Sequence, residues 1–444
     1  MKLTEQHIFK GYWWLPDNPQ NKVAGVLTYS PGERILLELI GAFESKDGAP
    51  KDFFVENDES VPLILGIDSD AKEMSLISCN SSFSYNFSSS FPIMHYTAQM
   101  AVYDKHIRGL DEICQYTAHV RFPELSYWAL PFAINQTIHF NPEGNEIYSC
   151  SINIPFSRSE SNTICSINCE NGVCLSIECG VAYQAGDMLL KPELEQYSFL
   201  KISKPQNGIS INEILKEIHK FSQFLSLATK RNVLPESIFL TDPDVRQDFK
   251  DGTKSIYFPV YILLKQPVPY NQTKLNRDRF LFRYEEFPGI IPVLISNWMS
   301  DSDKLQPIKS HLVDSLIYKP VVGSVDYLQV VQAIEGVWWR FYDDKYKADN
   351  HIGNKKQTSL ETILEELLKS LSTIPATSKL NIDIKAAVDS RVYYTHFVDK
   401  CKRPKVLDGW NLYKLTKKMR CILLCLVLRL LGTSDNDIET IISH

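Results

Sequence analysis

The sequence lacks a hydrophobic run long enough to cross a membrane, which takes about 18–20 apolar residues. Its best candidate, residues 421–428, lies between Arg420 and Arg429 and is typical of a buried helix. The first residues also lack the apolar segment of a secretory signal. We therefore expect a cytoplasmic protein with no membrane partner.

The chain also has few cysteines and no net positive charge. Ten cysteines in 444 residues are too few for a disulfide scaffold, so reduced thiols are expected. The 47 basic and 53 acidic side chains give a net charge of −6, which argues against a polyanion binder that is basic throughout. The chain has no Walker loop and no G-x-G-x-x-G, H-E-x-x-H or G-x-S-x-G motif, which argues against those chemistries.

Four of the cysteines cluster at Cys165, Cys169, Cys174 and Cys179. Their spacing contains no C-x2-C pair, so it fits a zinc ribbon poorly. A two-residue turn at Asn171-Gly172 would place Cys169 opposite Cys174, with Cys165 on the same face and Cys179 on the other. Buried thiols are the favoured interpretation, and no metal or other cofactor is predicted. A zinc-dependent regulator remains an alternative.

The hydrophobic period predicts an α+β multidomain chain. Short apolar runs separated by Asn, Ser, Gly and Pro fill the first two hundred residues and predict a sandwich or barrel-like β domain. One helix interrupts them after Ser210. We place the domain boundary after residue 275, in a Pro- and Asn-rich stretch, and read 276–444 as an all-α bundle. Helices are predicted near residues 286–299, 303–318, 324–345, 359–372, 379–399, 410–432 and 435–443.

Arg391 and His396 form the first candidate for chemistry. This spacing arises about once by chance in a chain of this composition, so its frequency decides nothing. On a helix the two side chains flank the stripe of Val388, Val392 and Thr395 without forming one patch. Arginine can hold a phosphate bidentately and histidine can move a proton near neutral pH, which suits metal-independent RNA cleavage. A solvated arginine and a hydrogen-bonded histidine are the alternative.

The segment that follows Arg391 is strongly basic. Between residues 391 and 430 ten basic residues stand against two acidic ones, so this stretch carries +8 and the rest of the chain −14. Tyr394, Lys400, Lys402 and Arg403 are therefore candidate RNA contacts, although a solvated helix surface would look the same. Glu335 is a candidate supporting residue, because it could project from its helix toward the site, although an ordinary surface glutamate is the favoured alternative.

Two parts of the sequence resemble domains of bacterial anti-phage abortive-infection proteins. Residues 10–15, 23–29 and 36–41 are similar to the opening of the ApeA N-terminal domain. The C-terminal part resembles the HEPN domain that follows it, through residues 327–335, 388–391, 394–396 and 415–442. Val392 departs from the pattern, since many family members have a polar residue directly after the arginine.

The resemblance implies a defence endoribonuclease that needs no metal. It assigns Arg391 and His396 as the catalytic pair of an R-x4-H site, built by two such helices in a homodimer or higher homo-oligomer. RNA, such as a tRNA, would be the substrate, and the N-terminal domain would sense a phage-encoded trigger and restrain the nuclease. The alternative is a non-catalytic HEPN protein that dimerises and binds RNA or a nucleotide.

Overall fold

A computed structural model describes residues 1–43, 60–83, 93–130, 134–141, 143–144, 146–153, 162–184, 193–248, 255–267, 275–300, 304–317, 323–353 and 357–443. The chain folds into two compact units. The β-rich unit comprises residues 1–219 and 234–274, and the helical unit comprises 220–233 and 275–444. The domain boundary after residue 275 stays a prediction, and residues 220–233 belong with the helices that follow it. Most of the predicted linker, 268–274, lies outside the described residues.

The described residues of the β-rich unit form β-strands over most of their length. The strands are β1 (His7–Trp14), β2 (Val23–Tyr29), β3 (Ile35–Ile40), β4 (Ser60–Asp68), β5 (Glu73–Phe83), β6 (Ile93–Tyr103), β7 (Ile113–Cys114), β8 (Thr117–Arg121), β9 (Asn135–Phe140), β10 (Ile147–Asn153), β11 (Thr163–Asn168), β12 (Cys174–Gln184), β13 (Glu193–Ser203), β14 (Ile209–Ser210), β15 (Ser237–Asp248) and β16 (Ser255–Leu264). Two helices accompany them, α1 (Pro123–Trp128) and the first half of α2 (Ile211–Thr229), whose residues from 220 onward belong to the helical unit. Ser210 caps α2 as predicted, since its Oγ accepts the Glu213 backbone N–H at 3.1 Å.

Six antiparallel strands close into a barrel in the order β6–β3–β2–β1–β4–β5, with β5 pairing back onto β6. Buried side chains alternate along β2 and β3, as expected for strands with one face in a core. Trp13 is fully buried, and a Cβ on Gly66 would lie 2.3 Å from its ring. Glycine at position 66 is therefore required by the close approach of the indole. The prediction of a β-rich, barrel-like domain is confirmed.

A second run of antiparallel strands extends from β6 in the order β16–β15–β8–β13–β12–β11. The predicted hairpin at Asn171-Gly172 joins β11 to β12, with Gly172 at φ +79°. The predicted cysteine register is wrong, because Cys174 lies opposite Asn168 and the connection spans residues 169–173. Among the described residues, no group of three or more His, Cys, Asp or Glu could hold a metal ion.

The helical unit confirms the predicted all-α C-terminal part. Its helices are α3 (Ile291–Met299), α4 (Gln306–Leu316), α5 (Ser324–Phe341), α6 (Asp343–Asp349), α7 (Leu360–Ser370), α8 (Pro375–Ser378), α9 (Ile384–His396), α10 (Gly409–Leu430) and α11 (Asp435–Ser443). The predicted helix at 324–345 is two helices, α5 and α6, because the backbone leaves helical geometry at Tyr342. The short helix α8 was not predicted.

Helix α5 is central to this unit, since it packs against α4, α7, α9 and α10. Helix α10 contains the apolar run 421–428, and its residues 422–428 are all buried, as expected for a core helix. In the described part of the chain, every helix is too short or too polar to cross a lipid bilayer. The packing of α5 against α4 and α9 positions the candidate site.

Candidate functional site

Helix α9 carries the candidate pair and has well-defined ends. At its start the Asp383 carboxylate accepts the Ala386 backbone N–H at 3.0 Å, and its hydrogen bond from Lys405 holds the pKa of Asp383 below its ordinary value. At its end Phe397 adopts a left-handed conformation with φ +51°, so His396 is the last helical residue. The predicted range of 379–399 is therefore too long at both ends, because it ignores these caps.

Arg391 contacts both the predicted partner His396 and the predicted supporting residue Glu335. Its Nη2 lies 3.3 Å from both carboxylate oxygens of Glu335 on α5, and its Nη1 lies 3.3 Å from His396 Nε2. The expectation that Arg391 and His396 do not form one patch is wrong. Helical angles describe only where a side chain leaves the backbone, and the long arginine side chain spans the gap.

The direction of the Arg391–His396 hydrogen bond follows from the chemistry of the two groups. A guanidinium has donors only, so Arg391 Nη1 donates and His396 Nε2 accepts. Arg391 has five N–H groups. Among the described residues its side-chain hydrogen bonds go to Glu335 and His396, so further N–H groups remain that could bind a phosphate. His396 is exposed, whereas the Glu335 and Arg391 side chains are 19% and 29% exposed.

The stripe that separates the pair on α9 is not a buried face. Val388 and Val392 are half-buried and Thr395 is exposed. The buried face of this helix is instead formed by Ala386, Ala387, Asp389 and Ser390. These residues are small or polar, and half-buried Val392 lies outside this buried face.

Tyr327 joins α5 to α9 by a hydrogen bond close to Arg391 and Glu335. Its ring is fully buried and its hydroxyl donates to the Ala387 carbonyl at 2.6 Å. Burial raises the pKa of Tyr327, the Glu335 carboxylate raises it further, and Arg391 opposes both effects. The hydroxyl therefore stays protonated and keeps donating at any physiological pH.

The four predicted RNA contacts have different environments. The Tyr394 hydroxyl donates to the Leu407 carbonyl at 3.0 Å, which holds the segment between α9 and α10 against α9. Lys400 pairs with Asp408 at 2.7 Å and Arg403 pairs with buried Asp389 at 3.4 Å. Lys402 is exposed. Lys400 and Arg403 would have to share or release these carboxylates to bind a phosphate.

A cavity of about 340 Å³ lies beside Glu335 and Arg391. Its other walls come from α4, from α5 and from the segment before α7. Its lining residues include His311, Gln332, Trp339, Arg340 and Gln357. Sequence reasoning missed this set because its members come from separate elements. Gln332, Trp339 and Arg340 share one face of α5, but His311 lies on α4, 80 positions before Arg391.

A helical domain with an Arg–His pair, following a β-barrel domain, defines a two-domain HEPN-type protein. The N-terminal part matches ApeA N-terminal domain 1 over residues 8–298, and the C-terminal part matches the Apea-like HEPN domain over residues 328–437. The chain belongs to this ApeA family of defence-associated HEPN-domain proteins. Neither a curated protein nor a solved structure matches it significantly.

Proposed function

We propose that the chain is a metal-independent endoribonuclease acting in anti-phage defence. The observation that supports this most is the Arg391 guanidinium, which is held by Glu335 on one side and contacts His396 on the other. A fixed cation and an imidazole within one phosphodiester's reach are the groups needed to cleave RNA through its own 2′-hydroxyl.

The substrate phosphate replaces His396 as a partner of Arg391. This frees His396 Nε2, which takes the proton of the 2′-hydroxyl. The 2′-oxygen then forms a bond to phosphorus and the bond from phosphorus to the 5′-oxygen breaks. The products are a 2′,3′-cyclic phosphate and a 5′-oxygen that must gain a proton to become a hydroxyl. Arg391 stabilises the extra negative charge that develops on the phosphate. Glu335 is a positioning residue, because it holds the guanidinium and does not contact the RNA.

The remaining features of the proposal follow from this chemistry and from the family. The RNA is cut where its backbone is unstacked, as in an exposed tRNA loop. Two copies of α9 face each other in a homodimer, where Phe397, 89% exposed, would be covered. The N-terminal domain binds a phage-encoded trigger in the cytoplasm and controls the nuclease.

The decisive experiment compares purified wild type with Arg391→Ala and His396→Ala on total RNA in the presence of a chelator. Loss of the general base is expected to slow cleavage at least about 100-fold, and the wild-type products should carry 2′,3′-cyclic phosphate ends. Arg279→Ala and His219→Ala are matched controls, since both residues are exposed and remote in sequence from the site. Equal cleavage by all five proteins would refute the assignment.

Glu335→Gln tests the positioning role separately. Removing the carboxylate loosens Arg391, so kcat should fall about tenfold, equivalent to about 1.4 kcal/mol. Affinity for RNA should not weaken, because the change removes a negative charge. A weaker affinity with unchanged kcat would show that Glu335 contributes to binding instead. RNA bound by every variant but cleaved by none, wild type included, would favour the non-catalytic alternative.

A further inference from the structure

A second histidine belongs to the same cavity as the Arg391–Glu335 pair. His311 lies on α4, and both His311 and Arg391 line the 340 Å³ cavity. A sphere of that volume is roughly 9 Å across, which is the size of a site for one nucleotide. His311 falls between the two segments, 8–298 and 328–437, that match the family domains.

The backbone of α5 fixes which nitrogen of His311 can exchange a proton. His311 Nδ1 lies 3.3 Å from the Gln329 carbonyl oxygen. A carbonyl oxygen only accepts hydrogen bonds, so Nδ1 carries a proton in both the neutral and the charged ring. Nε2 is therefore the nitrogen that can give or take a transferred proton.

The proposed cleavage has a chemical need that His396 alone does not meet. The 5′-oxygen leaves as an alkoxide, a poor leaving group, unless a proton reaches it as its bond to phosphorus breaks. His396 takes up a proton in the same step and cannot give one at that moment. A second group must supply it from another side of the phosphate.

We propose that His311 is this second catalytic residue, the general acid of the reaction, an inference that rests on the proposed nuclease function. His311 Nε2–H gives its proton to the departing 5′-oxygen while the electron pair of the broken bond moves to that oxygen. The products are a 2′,3′-cyclic phosphate, a 5′-hydroxyl, neutral His311 and protonated His396. Solvent then restores both rings.

The cavity also holds what such a step requires around the leaving nucleotide. Trp339 offers an aromatic wall on which a base can stack. Gln332 and Gln357 supply amide donors and acceptors, and Arg340 adds a second guanidinium. The nucleotide on the 5′-oxygen side of the cut would occupy this space, with its phosphate toward Arg391.

The test uses two RNA oligonucleotides that contain the cleaved linkage, one natural and one with sulfur in place of the bridging 5′-oxygen. A thiolate leaves without being protonated. His311→Asn keeps an N–H for the Gln329 carbonyl and removes the transferable proton. It should lower kcat about 100-fold on natural RNA but less than about threefold on the sulfur substrate, whereas His396→Ala should lower both.

His311→Ala is the second variant, and unfolding midpoints establish that both His311 variants are folded. An equal loss on the two substrates, or no loss on natural RNA, would overturn the general-acid role while leaving the nuclease function intact. A wild-type protein that cleaves neither substrate would refute the nuclease function and this role together.

Discussion

Replacing Tyr327 by phenylalanine removes one oxygen atom at the junction of α5 and α9. The hydroxyl is fully buried and donates to Ala387 O at 2.6 Å, so a net hydrogen bond of about 1 kcal/mol is lost. The cost stays near this value because the same carbonyl also accepts the backbone N–H of Arg391 within α9 and is not left without a partner. We expect Tyr327→Phe to lower the free energy of unfolding of the helical unit by about 1 kcal/mol.

Urea unfolding followed by tryptophan fluorescence would measure this difference. Tyr346→Phe is the matched control: its ring packs edge-on against Trp338, and it should change stability by less than about 0.5 kcal/mol. If Tyr327→Phe behaves like this control, the hydroxyl does not join the two helices. A loss above about 3 kcal/mol would also contradict the reasoning, because it would mean that the carbonyl has no second partner.

Two further predictions concern the β-rich unit. Asp242 is 1% exposed and pairs with Lys105, so Asp242→Ala should destabilise the protein by about 3 kcal/mol in urea unfolding, whereas exposed Asp244→Ala should cost under about 0.5 kcal/mol. Burial lowers the pKa of His119 to about 4 from its ordinary 6.5. Because the unfolded chain binds this proton more readily, stability should be full above pH 6.5 and fall as the pH drops toward 4, and His119→Gln should flatten that part of the profile.

Much of the fold could be predicted from local sequence patterns, such as turn residues and apolar runs. The hairpin at Asn171-Gly172 and the core helix around residues 421–428 need only turn chemistry and apolar runs, and both are present. The predictions from sequence were wrong where a few residues determine where a strand or helix ends. Cys174 pairs with Asn168 because the connection is longer than the Asn-Gly dipeptide suggests, and α9 ends at Phe397 because that residue turns left-handed.

The candidate site was also predictable only in part. Arg391, His396 and Glu335 could be named from spacing and resemblance, since they lie within short segments. That the three are in contact could not, because the contact depends on how α5 lies against α9. The charge of the 400–405 loop made its basic residues candidate RNA contacts, yet Lys400 and Arg403 are paired with Asp408 and Asp389.

The sequence by itself determined a β-rich part followed by helices, the position of the Arg–His pair and the concentration of positive charge after it. Periodicity, turn residues and charge are properties of neighbouring positions, so they can be read along the chain. Only the tertiary structure closed the barrel through the pairing of β5 with β6, and only it brought His311 to the cavity beside Arg391. Packing between helices joins residues 80 positions apart, and no local pattern records which faces will meet.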